Sequence, residues 1–213
     1  MSLGIVLILI VIFGYISNWL NWRFLNYKVT RLLYYIGAFV HESSHAILCL
    51  ATGAKVYEYK VLSLEPHVTH GRPHLPLIGN LLISSAPIFG GLLFLFLVDH
   101  YLLGGVFAPA VFNGQWNSLL WEPLKLLAQM RPLEWQSWVM VVLLINAGAM
   151  IGPSSQDIKN VWPLLIILLF VQSQFFAGIG VMALSLIMVN IVVQIVCVLC
   201  LKVVGLIRVN WWK

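Results

Sequence analysis

Several stretches of this chain stay apolar for about 20 residues, the length at which a helix crosses about 30 Å of hydrocarbon. Such runs occupy residues 3–22, 32–51, 76–98 and 178–206. The 213 residues are 61% hydrophobic and only 9% charged, so the polar surface that would enclose a water-soluble core is missing. The sequence therefore predicts an integral, multi-pass protein of the cell membrane.

The region 138–176 is less regular than the other apolar runs. Its first part is short, "PSSQD" interrupts it, and an apolar run then resumes. We expect two helices that meet at an irregular element within 146–157, one of them short or re-entrant. Broken backbone at membrane depth is tolerated only where protein buries it or where it lines a polar cavity. The predicted fold is all-α, with about six transmembrane segments in a single domain, 1–213.

One connection is predicted to contain β-structure. Residues 52–76 begin with Val56, Tyr57 and Tyr59 in a run rich in β-forming side chains, which favours a short strand or hairpin beside the membrane. The net charge is +5, but the basic residues are scattered along the chain. Scattered basic residues argue against binding to nucleic acid and favour anchoring at lipid headgroups.

The apolar run 32–51 contains the pattern His41-Glu42-Ser43-Ser44-His45. Residues four apart lie on one helix face, so His41 and His45 can bind the same metal ion, and Glu42 can reach a water molecule on it. A zinc ion held in this way needs a third protein ligand and keeps its fourth position for water. His41 is predicted to lie roughly 13 Å from each surface of the bilayer. Ionisable groups at such a depth are costly and usually functional, although a hydrogen-bonded cluster between helices is the alternative.

Asp157, in the irregular element, is the predicted third ligand. The alternative is a capping role, because Ser154 to Asp157 has the spacing of a helix-start capping box. His67, His70 and His74 in the preceding loop are weaker candidates, and His67 and His70 could form a metal pair of their own.

The HESSH pattern in an apolar helix, followed by Asn146, Pro153 and Asp157, resembles the site-2 protease group of intramembrane zinc metalloproteases, over residues 32–176. "SSAPIFGG" at 84–91 is similar to a motif of small residues and proline in that family, and "GPSSQDIKN" is closer to a compact, divergent branch. The resemblance implies one zinc per chain, bound by His41, His45 and Asp157. It also implies that Glu42 is the catalytic base.

The substrate implied by the resemblance is a transmembrane protein or peptide. An edge strand within 54–64, with Val56, Tyr57 and Tyr59, would hold the unwound substrate by main-chain hydrogen bonds. Asn146 would contact substrate, or else form a packing bond between helices. Two other functions remain open, a non-catalytic membrane scaffold of the same fold and a metal transporter that uses the His and Asp residues. Glu42 favours the protease, because neither alternative needs a base between the two histidines.

Overall fold

The computed structural model describes residues 3–24, 34–61, 63, 66–105, 121, 128, 131–154, 156–160 and 174–203. Within these ranges the chain is mostly helical, with one short antiparallel sheet of two strands. The elements in chain order are α1 (Leu3–Phe24), α2 (Tyr35–Ala51), β1 (Val56–Lys60), β2 (His67–His70), α3 (Pro76–Val98), α4 (Trp135–Ile151) and α5 (Gln174–Val203). The predictions of a mostly helical chain and of a β-hairpin after the HESSH helix are confirmed.

Two of the described helices are long and apolar enough to cross a bilayer, Pro76–Leu103 and Ala183–Cys200. The first combines α3 with the π-helical turn that follows it, Asp99–Leu103. Two shorter apolar helices cover Gly4–Ser17 and Trp135–Ile151. Most of the predicted helix over 158–176 falls at 161–173, outside the described residues, so the number of crossings stays a prediction.

Helix α2 begins at Tyr35, three residues later than the apolar run suggests. His41 is therefore six residues from the start of the helix and ten from its end, which corresponds to about 9 Å and 15 Å of helix. The histidine pair thus lies nearer one end of α2 than the sequence predicts.

The helices pack in two groups that share α4. Helix α2 contacts α3 and α4, while α5 contacts α1 and α4. The fully buried Asn190 of α5 joins its group, because its amide donates to the carbonyls of Leu144 and Ile145 in α4 and its oxygen accepts from Ser17 in α1. These bonds hold α1, α4 and α5 together.

Helices α2 and α3 approach closely at Gly90. A Cβ atom on Gly90 would overlap the Ser44 hydroxyl, which itself donates to the Val40 carbonyl at 2.6 Å. We expect Gly90→Ala to lower the free energy of unfolding by about 1–3 kcal/mol, because the two helices would have to separate. Thermal unfolding in detergent micelles measures this loss.

Gly14→Ala is the matched control, since the nearest atom to a Cβ there is the Gly152 Cα at 3.4 Å, an ordinary contact. We expect this variant to unfold at or slightly above the native temperature, because alanine is favoured over glycine in a helix. Equal losses in the two variants would contradict the close approach at Gly90.

Candidate metal site

His41, His45 and Asp157 form a buried group that could hold a metal ion. The two histidines lie one turn apart on α2, with their rings edge to face and ring centroids 4.9 Å apart. Asp157 comes from the segment after α4, more than 110 residues further along the chain. The three side chains are 4–8% exposed, so each is almost wholly removed from solvent.

The potential ligand atoms converge on one point. The Nε2 atoms of His41 and His45 are 3.2 Å apart, and they lie 3.7 Å and 3.4 Å from the two carboxylate oxygens of Asp157. Donor atoms around a tetrahedral zinc ion with bonds of about 2.0–2.1 Å are about 3.3 Å apart. Two imidazoles and a carboxylate at this spacing fit zinc in both chemistry and geometry.

The His45 ring is oriented by a backbone group of α3. Its Nδ1 atom donates to the Ile83 carbonyl oxygen at 2.8 Å. A carbonyl can only accept, so this bond requires a proton on Nδ1, and Nε2 is the ring nitrogen that faces the carboxylate. The Nδ1 atom of His41, in contrast, is buried without a hydrogen-bond partner among the described residues. The structure thus orients one imidazole more firmly than the other.

Asp157 has two roles in the structure. Its Oδ2 atom accepts the Ser154 backbone N–H at 2.8 Å, and its own N–H donates to the Ser154 hydroxyl at 3.2 Å. This reciprocal pair is the capping box that the sequence suggests, and it starts the helical turn at 156–160. The same carboxylate also faces both histidines. Capping and contact with the histidines are therefore compatible, because the carboxylate has several lone pairs.

A further bond ties this helical turn to α3. The Asn160 amide donates to the Ser84 hydroxyl at 3.1 Å, one residue beyond the Ile83 carbonyl that holds His45. Helix α3 thus contacts both His45 of α2 and the helical turn that carries Asp157.

Glu42 lies on the same turn of α2 as the histidines and is half-buried. Its carboxylate makes no hydrogen bond or ion pair with any other described residue. A carboxylate that is not engaged in a hydrogen bond can accept a proton from water without first breaking another bond.

Asn146 is fully buried in α4, and both ends of its amide are occupied. Its oxygen accepts the Gly37 backbone N–H at 2.8 Å, and its nitrogen donates to the Val142 carbonyl. Gly37 lies in the first turn of α2, where backbone N–H groups have no partner within the helix. Asn146 thus caps the HESSH helix from a neighbouring helix. Contact of Asn146 with substrate stays a prediction.

Strand β1 lies beside the HESSH helix. The hydroxyl of Tyr59 is 2.7 Å from that of Ser43, the residue after Glu42. Among the described residues β1 pairs only with β2, with an irregular register at Tyr57, and no described strand occupies its other edge. Tyr57 is 67% exposed and Tyr59 44%, whereas Val56 is partly buried against α2. Substrate binding by these three residues stays a prediction.

The loop histidines do not join the metal group within the described residues. His67 and His70 are three apart in β2 and therefore point to opposite faces of the sheet, which prevents them from sharing a metal ion. His67 contacts the Glu58 carboxylate at 3.2 Å, and His70 donates to the Gly71 carbonyl. The ring of His74 lies against Gly53.

Hydrogen bonds from Lys60 and His67 hold the pKa of the Glu58 carboxyl below its ordinary value. The contribution of this carboxylate to stability is therefore present above its ordinary pKa and is lost as pH falls through the lower, folded-state value.

Comparisons with protein-family models, with curated proteins and with solved structures find no match to the chain.

Three groups near the site were not among the predicted site residues: the Ile83 carbonyl, Pro87 and Asn160. A signal for the first two is present in the sequence, because a proline inside an apolar run deprives the carbonyl four residues earlier of its helical donor. No local pattern marks Asn160, whose contact with Ser84 depends on how the segment after α4 packs.

Proposed function

We propose that this chain is an intramembrane zinc metalloprotease of the site-2 protease type. The observation that carries the proposal is the convergence of His41, His45 and Asp157 on one point, with the carboxylate of Glu42 on the same helical turn and not hydrogen-bonded to any described residue. Two histidines and a carboxylate match the ligand set of catalytic zinc sites, which keep one position for water or substrate.

The distribution of polar residues supports a membrane setting. Twelve described polar or charged residues are buried, including the metal group, Asn146, Asn190 and Gln194. Large apolar side chains face outward instead, such as Leu77 at 87% exposure and Leu50 at 71%. A surface of this kind is unfavourable in water and suits contact with lipid. Together with the two long apolar helices, it supports an integral membrane protein. About six crossings and a place in the cell membrane are part of the proposal.

In the proposed reaction, zinc held by His41, His45 and Asp157 would acidify a water molecule and polarise the scissile carbonyl. Glu42 accepts a proton from the attacking water and later donates it to the leaving amine, so the base is restored after each cycle. His45 keeps its proton on Nδ1, where the Ile83 carbonyl holds it, and therefore takes no part in proton transfer.

The proposed substrate is a transmembrane protein or peptide whose helix unwinds near the site. Unwinding exposes backbone N–H and C=O groups, which cannot remain unpaired in hydrocarbon. The edge of β1 that no described strand occupies would offer such partners beside Glu42, since the Ser43–Tyr59 bond holds the strand against α2.

Purified protein reconstituted in liposomes with a reporter transmembrane substrate tests the proposal. We expect one zinc per chain by elemental mass spectrometry, loss of cleavage after chelation, and recovery of cleavage when zinc is restored. Zinc binding without cleavage would favour a transporter or a scaffold over a protease. Cleavage that survives complete removal of metal would contradict the metal mechanism.

A further inference from the structure

Helix α3 contains one interior proline, Pro87, and that proline is fully buried. In an α-helix the N–H of residue i donates to the carbonyl of residue i−4. Pro87 has no N–H, so the Ile83 carbonyl loses its usual donor. This same carbonyl accepts the Nδ1–H of His45 at 2.8 Å. The oxygen atom that lacks a helical donor is therefore the one that accepts the hydrogen bond from His45.

We infer that Pro87 is a positioning residue for the metal site: by leaving the Ile83 carbonyl without a helical donor, it provides the acceptor that fixes the His45 ring. The fixed proton on Nδ1 makes Nε2 the free ligand atom and aims it toward Asp157, 3.4 Å away. A partner of this kind raises the basicity of a metal-binding histidine and sets its tautomer. The expected effect of Pro87 on metal binding rests on the proposed function. The preference of His45 for a proton on Nδ1 does not depend on that function.

The packing around Ile83 favours this role over a purely structural kink. Ile83 is 2% exposed and His45 8%, so no bulk water replaces a lost partner on either group. A buried imidazole N–H without an acceptor is destabilising, because no other bond replaces the one that is lost. If residue 87 carried an N–H, that group would compete for the carbonyl and turn it back along the helix axis.

Two replacements of Pro87 separate the missing N–H from the ring. Pro87→Ala restores the N–H, whereas lactic acid at position 87, introduced by nonsense suppression, removes the ring and still has no N–H. We expect Pro87→Ala to weaken zinc binding by about 10–100-fold, as loss of an outer partner of a metal ligand commonly does. The lactic acid variant should bind zinc within a few-fold of the native chain. Competition between Zn²⁺ and Co²⁺ in detergent micelles measures both affinities.

Pro76→Ala is the matched control, because Pro76 is exposed at the first position of α3, where an N–H has no helical acceptor. It should bind zinc as the native chain does. Equal loss in Pro87→Ala and in the lactic acid variant would assign the effect to the proline ring and overturn the inference. Native affinity in Pro87→Ala would overturn it as well.

Nitrogen-15 NMR of His45 in metal-free protein provides a readout that does not depend on zinc. At a pH at which the ring is neutral, we expect the native and lactic acid forms to carry the proton on Nδ1, and Pro87→Ala to show a mixture of the two tautomers. If the native chain binds no metal but the tautomers follow this pattern, the proposed function fails and the role of Pro87 holds. Identical tautomers in native protein and Pro87→Ala would overturn the role of Pro87.

Discussion

Glu42→Gln is expected to lower the rate of cleavage of a transmembrane substrate by about 10²–10⁴-fold, the usual effect of losing a general base. Glutamine has nearly the same shape as glutamate but cannot accept a proton from water at neutral pH. Zinc content should stay at one per chain, because the proposed ligands are His41, His45 and Asp157. Cleavage in proteoliposomes and elemental analysis of the same preparation measure the two effects together.

Glu134→Gln is the matched control, since it makes the same chemical change at an exposed residue before α4 that pairs with Arg131. An exposed ion pair contributes about 0–1 kcal/mol, so this variant should cleave at the native rate. The catalytic role of Glu42 would be refuted by a Glu42→Gln variant that cleaves as fast as the native chain.

Asp157→Ala is expected to weaken zinc binding by more than about 10²-fold, because even outer partners of a metal ligand contribute 10–100-fold. This variant also removes the acceptor for the Ser154 N–H, so the helix start should lose about 1 kcal/mol of stability, as other cap bonds do. Zinc affinity and thermal unfolding of the metal-free protein report the two losses separately.

Asp157→Asn separates these two roles. Its side-chain oxygen can still accept the Ser154 N–H, but the negative charge toward the histidines is gone. We expect metal-free Asp157→Asn to unfold near the native temperature while its zinc affinity falls markedly. Full zinc occupancy in Asp157→Ala would show that another group completes the site.

Much of the site could be predicted because its main elements are local. The His41 and His45 spacing places both side chains on one face of any helix, and the apolar run around them made a helix the expected structure. The proximity of Asp157 could be proposed only from chemistry, since no local pattern reports how the segment after α4 folds back. The sequence left open whether Asp157 caps a helix or binds metal. It cannot show that the Asp157 carboxylate both accepts from the Ser154 N–H and faces the histidines.

Other features depend on tertiary packing, which cannot be predicted from local patterns in a single sequence. Asn146 looked like a residue for substrate or for helix packing, and the structure gives it the Gly37 N–H at the start of α2. The strand was predicted within 54–64 and lies at Val56–Lys60, but its irregular register at Tyr57 has no sequence signature. The start of α2 was placed too early because hydrophobicity marks apolar runs more clearly than helix ends.

The bond between Ser43 and Tyr59 links the edge strand to the residue adjacent to Glu42. If binding of a strand along β1 shifts that tyrosine, the shift reaches the turn that carries the base and both histidines. If that shift changes the affinity of the site for a metal ion, thermodynamic reciprocity requires an occupied site to change the affinity of β1 for its strand by the same factor. Under the proposed function, zinc would then govern which segments the protein binds as well as how fast it cuts them.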